Sequence, residues 1–339
     1  MKSSVEPAVR RESVAAVVVT YNRSQLLTEC LDALLRQSRP LDGIIVIDNA
    51  SSDGTPALLE SKGYLRHAKI VYTRLSSNTG GAGGFHEGMR QAYELGFDWI
   101  WVMDDDAEPY DDALERMEPS LGLEDIGGVA NLTIGIDGTP QREHRGWLEL
   151  RSSKSRAHRP IGLAELTKNV AIDFASFVGL AVHRDAIERV GLPMRELFIK
   201  GDDLEYCIRL AALGPLILVP DSKIHHKDGV SASYARRRRF GYESSRVPLD
   251  KLWLNYFSLR NLLWIRRKHA GSAVAVMFAL RQYARHSLGI MLFDSHRLIR
   301  LRFYWNAITD AWRGVFDNEK PRRLTDPGGR GVMRPSRAR

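Results

Sequence analysis

An apolar run at residues 99–103 ends in three consecutive carboxylates, Asp104, Asp105 and Asp106. The run has the length and composition of a buried strand, so the acids lie where that strand leaves the core. Like charges this close repel one another, which favours a bound cation. Mg²⁺ and Mn²⁺ bind through one or two carboxylates together with substrate phosphates. The triplet therefore predicts a metal–diphosphate site; a solvated acidic loop before a helix from Asp111 onward is the alternative.

Apolar and helical segments alternate through the first hundred residues. Residues 14–20 are a nearly unbroken run of valine and alanine, and residues 44–47 and 70–73 are further short apolar runs. The stretches after the first two runs have the spacing of amphipathic helices. Buried strands that alternate with helices form a parallel sheet covered by helices. We therefore expect an α/β fold with a Rossmann-like, mostly parallel sheet.

Polar residues stand where these strands end. Thr20, Tyr21 and Asn22 follow the first strand, and Asp48 follows the second. Ligands of open α/β sheets bind outside the carboxyl ends of the strands, which is also where the acidic triplet falls. These residues should share one crevice.

A glycine-rich segment lies between the third strand and the fourth. It starts at Asn78, and four of the five residues 80–84 are glycine. Glycine lets a backbone approach a ligand closely, so a loop here could hold a phosphate or a sugar; a tight turn packed on the sheet is the alternative. The segment lacks the Gly-Lys-Ser/Thr of an ATPase loop and the spacing of a dinucleotide fingerprint. ATPase and dehydrogenase functions are therefore disfavoured.

Four motifs in this order resemble glycosyltransferase family 2, inverting enzymes of GT-A fold that transfer a sugar from a nucleotide-diphosphate donor. They are residues 17–23, residues 46–55, Asn78 with its glycines, and residues 104–106, which are similar to the family's Asp-X-Asp. The resemblance implies that Asp104 and Asp106 reach a metal. It also implies a donor site formed by Thr20, Tyr21, Asn22, Asp48, Asn78, Gly80, Gly81, Gly83, Asp104 and Asp105.

An inverting transfer needs a base that takes the proton of the acceptor hydroxyl as it attacks the anomeric carbon. Asp202 and Asp203 follow an apolar stretch and Gly201, at the start of a helical segment. This resembles the family's base motif, in which the second acid acts. The resemblance thus implies Asp203 as the catalytic base, with Asp202 beside it. The alternative is that an acid here only caps the helix.

A strand is predicted over residues 216–220, and two histidines, His225 and His226, come after it, where they follow an apolar residue at a strand end. Imidazole is a frequent ligand of transition metals. Metal-binding members of the family carry a histidine at a similar distance past the base, and His226 fits that position better than His225. The resemblance implies a site of Asp104, Asp106 and His226 for Mn²⁺ or Mg²⁺, and a histidine ligand favours Mn²⁺.

Within the family, these motifs look most like bacterial galactofuranosyltransferases of cell-wall galactan synthesis. Gly201 stands where the polymerising members carry tryptophan, and the chain lacks their large flanking domains. The resemblance implies an initiating enzyme that moves galactofuranose from UDP-galactofuranose to a polyprenyl-diphosphate-linked acceptor. A rhamnosyltransferase that uses dTDP-rhamnose is the nearest rival. A nucleotidyltransferase and a non-catalytic nucleotide-sugar or glycan-binding protein stay open as other classes.

Composition indicates where such an enzyme works. The sequence has two cysteines, Cys30 and Cys207, which predicts a reducing compartment rather than a disulfide framework. Residues 1–12 do not have the pattern of a secretory signal, and no later stretch has the length and apolarity of a membrane span. We expect a cytoplasmic protein.

The net charge is +8, and much of the excess lies late in the chain among tryptophan and tyrosine residues. On amphipathic helices this pattern suits an anionic membrane surface; solvated helix faces are the alternative, and a nucleic-acid partner is disfavoured. We expect a catalytic domain over residues 13–235 and a basic helical region over residues 236–317, peripheral on the inner face of the plasma membrane. Residues 1–12 and 318–339 are expected to be flexible tails. The oligomeric state stays open.

Overall fold

The computed structural model describes residues 11–152, 156–227, 236–239 and 241–325. Its strands, in chain order, are β1 (Val14–Thr20), β2 (Gly43–Asp48), β3 (Ile70–Arg74), β4 (Trp99–Asp104), β5 (Ala107–Pro109), β6 (Gly128–Ile134), β7 (Arg145–Leu148), β8 (His158–Pro160), β9 (Val170–Ile172), β10 (Phe174–Ala175), β11 (Leu180–His183), β12 (Leu216–His226), β13 (Arg236–Arg239) and β14 (Tyr242–Ser245). Its helices are α1 (Ser24–Leu35), α2 (Thr55–Ser61), α3 (Gly80–Glu94), α4 (Ala113–Leu121), α5 (Arg184–Val190), α6 (Asp202–Ala211), α7 (Trp253–Ala270), α8 (Ser272–Phe293), α9 (Arg297–Arg313) and α10 (Lys320–Thr325).

The central sheet has nine strands in the order β3-β2-β1-β4-β11-β6-β12-β5, and β9 also pairs with β12. Strands β3, β2, β1 and β4 are parallel, as are β6 and β12. Strand β11 runs antiparallel to both of its neighbours, β4 and β6. The expected parallel character therefore holds for the first half of the sheet, and the second half is mixed because β11 enters from the opposite direction.

Strand β12 changes its register with β6 part-way along. Val219 pairs with Asn131, but the next residue of β6, Leu132, pairs with Lys223. The bulge leaves residues 220–222 of β12 without partners in β6. Past the bulge, Ile224 packs into the same core as Val219.

Both faces of the sheet are covered by helices. All seven residues of β1 are buried, and its alternate side chains pack into two different cores. This explains why the sequence of β1 is a continuous apolar run rather than an alternating one. Polar side chains that follow β1 therefore lie beyond its buried length, at the edge of the sheet.

The glycine-rich segment is a helix, and the expectation of a loop there is wrong. Helix α3 begins at Gly80 and includes all the glycines. A Cβ atom on Gly84 would lie 2.5 Å from Cγ1 of Val19, and one on Gly88 would lie 2.3 Å from Cγ1 of Val17. These glycines let α3 approach β1 more closely than other residues permit. That packing outweighs the low helix propensity of glycine.

Helices α7, α8 and α9 enclose a third core, which includes Phe278 and Phe303. Arg266 of α7 is fully buried, and its guanidinium lies 4.0 Å from the centre of the Phe278 ring. The same guanidinium donates to the backbone carbonyls of Leu150 and Arg156. One side chain therefore joins the helical core to the sheet domain.

The helical part of the chain differs at both ends from the basic helical region expected over residues 236–317. Strands β13 and β14 pair as a hairpin, and α10 lies within the segment expected to be a tail. Lys320 Nζ donates to both carboxylate oxygens of Asp310, at 2.7 and 2.8 Å, which anchors α10. The division into domains stays a prediction, since the expected boundary at residue 235 and most of both tails, residues 1–10 and 326–339, lie outside the described residues.

Cys30 and Cys207 are buried free thiols. In the part of the chain that the structure describes, every helix is too short or too polar to cross a membrane.

The close packing of α3 on β1 can be tested with a pair of glycine variants. Gly88→Ala should lower the free energy of unfolding by about 1–3 kcal/mol, because its methyl group would overlap Val17. Gly81→Ala is the matched control in the same helix, since a Cβ there meets no atom within 4 Å. It should be neutral or stabilising by up to about 1 kcal/mol. Chemical denaturation of both variants is the measurement, and equal losses would contradict the packing argument.

Candidate active site

The acidic triplet lies at the carboxyl end of β4, beside the end of β1. Thr20 Oγ1 donates to Asp105 Oδ2 at 2.7 Å. Arg23 Nη1 donates to Asp106 Oδ2 at 2.7 Å and to Asp105 Oδ1 at 3.3 Å. Burial raises the pKa of Asp105 to about 6, although Thr20 and Arg23 oppose this. Part of the positive charge that the triplet needs therefore comes from Arg23, a residue of the first motif.

His226 reaches the triplet from the end of β12. Strand β5 pairs antiparallel with that end, and the backbone N–H of Lys227 donates to the carbonyl of Asp106 at 2.9 Å. His226 Nε2 consequently lies 3.4 Å from Asp106 Oδ1. Side chains alternate along a strand, so His225 points the other way, with its Nε2 3.1 Å from the carbonyl of Gly135. The structure thus brings His226, and not His225, to the acids.

The atoms of this pair suit a divalent cation. Asp106 Oδ1 is buried, and none of the described residues offers it a hydrogen bond. His226 Nδ1 lies 2.8 Å from Gln141 Oε1; in the tautomer with the proton on Nδ1, Nε2 turns its lone pair toward Asp106. Two acceptor atoms 3.4 Å apart are close enough to share one ion, because bonds of about 2.0–2.1 Å can join atoms up to about 4 Å apart.

The described residues do not form a complete metal cage: no group of three or more His, Cys, Asp or Glu side chains among them is arranged to hold an ion. Asp104, the third expected ligand, is partly buried at the end of β4. Mg²⁺ and similar ions commonly take one or two protein ligands and fill their other positions with water and phosphate oxygens. Asp106 and His226 fit such an ion when a diphosphate completes its coordination.

Asp48 is buried at the end of β2 and holds its neighbours rather than facing the crevice. Its Oδ1 accepts from the backbone N–H of Ser51 at 2.7 Å, and its Oδ2 accepts from the hydroxyl of Tyr72 at 2.6 Å. Arg74 Nε lies 3.8 Å from the same Oδ2. Burial and the bond to Asp48 raise the pKa of Tyr72. Asp48 has no exposed surface, whereas Tyr72 is partly exposed and the side chain of Arg74 is 48% exposed.

Tyr21 and Asn22 form the turn after β1. Asn22 has a φ of 55°, and its backbone N–H donates to Ser51 Oγ at 2.9 Å. Its side-chain oxygen accepts from the backbone N–H of Ser52 at 2.6 Å. Tyr21 is 45% exposed. The turns that follow β1 and β2 therefore lie against each other, so the first two motifs share one edge of the crevice.

Two asparagines fix the start of α3. Asn49 Oδ1 accepts from the backbone N–H of Thr79 at 3.0 Å, and Asn49 Nδ2 donates to the carbonyl of Gly80 at 2.9 Å. Asn78 Oδ1 accepts from the backbone N–H of Gly80 at 2.8 Å. Gly80 has a φ of +74°, and a Cβ on it would lie 2.0 Å from the carbonyl oxygen of Phe198. Only glycine fits this position.

The first turn of α3 touches the segment that precedes Asp202. The backbone N–H of Ala82 donates to the carbonyl of Phe198 at 3.0 Å. A Cβ on Gly83 would lie 2.3 Å from Thr79 Oγ1, whereas the same position on Gly81 is open. Of the three glycines expected at the donor site, Gly81 is the one with free space beside it.

Asp202 and Asp203 open helix α6. Asp203 Oδ1 accepts from the backbone N–H of Leu204 at 2.7 Å, so this acid does contribute to the start of its helix. Burial raises the pKa of Asp203, and it raises the pKa of Asp202 to about 7 with the help of the Asp203 charge. Burial also raises the pKa of Asp104 well above its usual range, and the charges of its two neighbours and of Asp202 add to this. The charge of Asp202 therefore acts on Asp104, so the start of α6 lies near the end of β4.

Asn261 of α7 holds the segment that leads into Asp202. The side chain is fully buried, and its Nδ2 lies 2.9, 3.0 and 2.7 Å from the carbonyl oxygens of Leu197, Ile199 and Lys200. Phe198 and Lys200 have φ values of 64° and 69°, which non-glycine residues rarely adopt. One amide group thus stabilises a strained turn next to the expected base.

Comparison with known proteins identifies the family. A family model described as glycosyl transferase family 2 matches residues 15–191, more than half of the chain. The chain belongs to this family. Galactofuranosyltransferase GlfT1 of Mycolicibacterium smegmatis is 35% identical over 212 residues, which cover 60% of this chain and 67% of the relative. The dTDP-rhamnosyl transferase RfbF of Shigella flexneri is 22% identical over 308 residues, covering 89% of this chain and 96% of that protein.

The fold of this family 2 glycosyltransferase also matches solved structures. The mannosyltransferase PcManGT of Pyrobaculum calidifontis, in complex with GDP-Man and Mn²⁺, has a TM-score of 0.53 and 16% sequence identity. The match covers 95% of this chain and 89% of that one. The expected GT-A fold with added carboxy-terminal helices is confirmed. The expected enzyme class, a glycosyltransferase, is confirmed as well. The nucleotidyltransferase and the non-catalytic binding protein are set aside.

Several residues at the site of this glycosyltransferase were not expected from its sequence. Gln141 orients His226, and the ring of His144 packs edge-on against His226 with the ring centres 5.0 Å apart. Burial and the charge of Arg145 lower the pKa of His144 to about 3. Arg145 is itself fully buried, and its Nε donates to the carbonyl of Asn131 at 2.6 Å. All three new residues come from a stretch without a motif.

Arg23, in contrast, could have been expected from the sequence. It directly follows Asn22 at the end of β1, on the sheet edge where the acidic triplet was expected. A cation at that edge could have been paired with the acids from position alone.

The role of Asn261 can be tested by stability. Asn261→Ala should lower the free energy of unfolding by about 1–3 kcal/mol, because the carbonyls of Leu197, Ile199 and Lys200 lose this donor. Asn255→Ala is the control on the same helix: its amide makes one bond of 3.3 Å, to the hydroxyl of Tyr304, so a loss below about 1 kcal/mol is expected. Chemical denaturation measures both. If the two variants lose equal stability, Asn261 does not stabilise the turn in the way described.

Proposed function

We propose that this family 2 glycosyltransferase is an inverting galactofuranosyltransferase that uses UDP-galactofuranose. The choice of galactofuranose as the sugar rests on the 35% identity with GlfT1. The reaction type is supported by the family and by the charge of Asp202, next to Asp203, which acts on Asp104 of the triplet. An inverting transfer requires the base and the metal on opposite sides of the sugar, since leaving group and attacking hydroxyl occupy opposite faces.

In this proposal the nucleotide lies over the carboxyl ends of β1 and β2. Tyr21, Asn22, Tyr72 and Arg74 are the groups that it would meet, and Asp48 acts by holding the last two. The start of α3 and the first two acids of the triplet border the donor on its other side. The donor-side residues there are Asn78, Gly80, Gly81, Gly83, Asp104 and Asp105, with Thr20 orienting Asp105.

A divalent ion, Mn²⁺ or Mg²⁺, would be held by Asp106 and His226, with Asp104 as a further ligand. When bound, it supplies positive charge to the diphosphate that leaves. Asp106 Oδ1 is buried without an ordinary hydrogen bond and lies 3.4 Å from His226 Nε2, which is the observation that supports a cation here. Gln141 keeps His226 in the tautomer that can act as a ligand.

Asp203 is the proposed base. The acceptor hydroxyl gives its proton to the Asp203 carboxylate as its oxygen bonds to the anomeric carbon, and the bond from that carbon to the UDP oxygen breaks. The raised pKa of Asp203 makes its ionised form a better proton acceptor than an ordinary aspartate. The neighbouring acid, Asp202, with its pKa of about 7, is placed to share that proton.

The acceptor in this proposal is a polyprenyl-diphosphate-linked glycan of cell-wall polysaccharide synthesis. A prenyl anchor keeps such an acceptor in a bilayer, so the enzyme would work as a peripheral protein at the cytoplasmic face of the plasma membrane. Residues 13–235 would then form the catalytic domain, and the helices after residue 235 would lie beside the membrane.

A rhamnosyltransferase is the second candidate. RfbF matches 89% of this chain and 96% of its own length, so that similarity extends over the helical region as well. Its identity of 22% is lower than the 35% of GlfT1. The two candidates share the reaction and differ in the donor.

Donor choice decides between them. The full chain is incubated with Mn²⁺, a prenyl-diphosphate disaccharide and, in turn, UDP-galactofuranose, UDP-galactopyranose or dTDP-rhamnose, and products are followed by mass. We expect transfer from UDP-galactofuranose alone. Asp203→Asn should lower the rate by about 10²–10⁴-fold, while Asp185→Asn, a change of an aspartate that is 72% exposed on α5, should leave it unchanged.

Transfer only from dTDP-rhamnose would show that the donor sugar is rhamnose and not galactofuranose. The proposed roles of the acids would be unaffected. Transfer that persists in Asp203→Asn would remove Asp203 as the base. Release of UDP must accompany each transfer from a UDP-sugar, because the diphosphate is the leaving group.

The metal assignment has a matched pair of variants in neighbouring histidines. His226→Ala should weaken Mn²⁺ binding in the presence of UDP by at least about tenfold, because it removes a ligand. His225→Ala should leave binding unchanged, since that ring faces Gly135. Calorimetric titration with Mn²⁺ measures both without any turnover. Equal affinities for the two variants would contradict the proposed site.

A further inference from the structure

Helix α8 carries an exposed apolar stripe along its whole length. Met277, Leu280, Leu288 and Met291 are 67%, 67%, 54% and 52% exposed, and Ala284 lies between them. These positions follow one another at intervals of three or four residues, so they lie on one side of the helix. The residues that α8 buries in the helical core are on the opposite side: Ala275, Phe278, Gln282 and Ile290. The stripe therefore points away from the protein.

Helix α9 extends this surface. Leu298, Trp305 and Trp312 are 82%, 55% and 40% exposed, again at helical spacing. The rings of Tyr283 on α8 and Trp305 on α9 meet edge-on with their centres 5.8 Å apart, so the two helices present their apolar residues side by side. Nowhere else do the described residues show comparable apolar exposure along successive helical turns.

The charge of this surface has one sign. From Lys251 to Phe316, a stretch described throughout, the sequence contains two carboxylates, Asp294 and Asp310. Both are buried and bonded internally, Asp294 to Arg246 and Asp310 to Lys320 and Tyr256. The exposed cations of the same stretch include Lys268, Arg281, Arg285, Arg297, Arg302 and Arg313. Helices α8 and α9 thus expose apolar and positive groups, and neither helix carries an exposed acid.

We propose that this face docks on an anionic lipid bilayer, with the α8 stripe in the interface and the arginines at the head groups. Apolar residues beside arginine and tryptophan suit that boundary, and the helix is too polar to span it. A second copy of the chain fits less well, because pairing two such faces would bring arginines together. The inference rests on the proposed function for the setting, but vesicle binding needs neither donor nor acceptor.

Vesicle sedimentation tests the proposal. The full chain is mixed with vesicles of phosphatidylcholine alone or of an equimolar mixture with phosphatidylglycerol. We expect binding to the anionic vesicles that weakens with added salt, as screening requires. Leu280→Ser with Leu288→Ser should weaken that binding by at least about tenfold, and Arg281→Gln with Arg285→Gln by about fivefold or more.

A double variant with serine at two other exposed leucines, Leu95 and Leu163, is the control; they are 57% and 61% exposed outside the helical region. It should bind like the unchanged chain, and so should Asp203→Asn, which separates docking from catalysis. Equal binding by the stripe variant would overturn the proposal. So would a concentration-dependent dimer that disappears in the stripe variant, because a second copy would then cover the face.

Discussion

Three adjacent carboxylates at the end of a buried strand determine what must surround them. Each loses hydration on burial, so the fold has to provide donors and positive charge around the end of β4. Thr20 and Arg23 provide them from the end of β1, and His226 comes close from the end of β12. Each of these residues sits on or next to a strand that sheet pairing holds in place. The pairing order of the strands therefore decides which side chains can reach the three acids.

The sequence was sufficient for the strands of the first half and for the family. Continuous apolar runs that end in polar residues predict buried parallel strands, and β1, β2 and β4 are found there. At the glycines, composition led to the wrong expectation of a loop. Gly84 and Gly88 are instead needed for helix α3 to contact Val19 and Val17 of β1. Which strand a helix will press against is a tertiary property, and a local pattern of residues does not contain it.

Most of the residues that surround the acids could not be predicted from the sequence, for the same reason. Gln141 and His144 approach His226 from a segment with no motif. Asn261 bonds to carbonyls more than sixty positions earlier in the chain. Through this one amide, the carboxy-terminal helices help to build the turn before the expected base. That region is therefore part of the site's framework as well as a surface of its own.

The bulge in β12 has a consequence for which histidine meets the acids. Residues 220–222 are three unpaired positions, and an odd number of extra residues exchanges the two faces of the strand beyond it. With an even number, the ring at position 225 would face Asp106 and the ring at 226 would face Gly135. Counting residues between the strand start and the histidines therefore cannot identify the ligand. The register of β12 beyond the bulge makes that choice. A slip of that register by one residue would bring His225 to Asp106, whereas deleting one bulge residue while the later pairing is kept would leave the same histidine there.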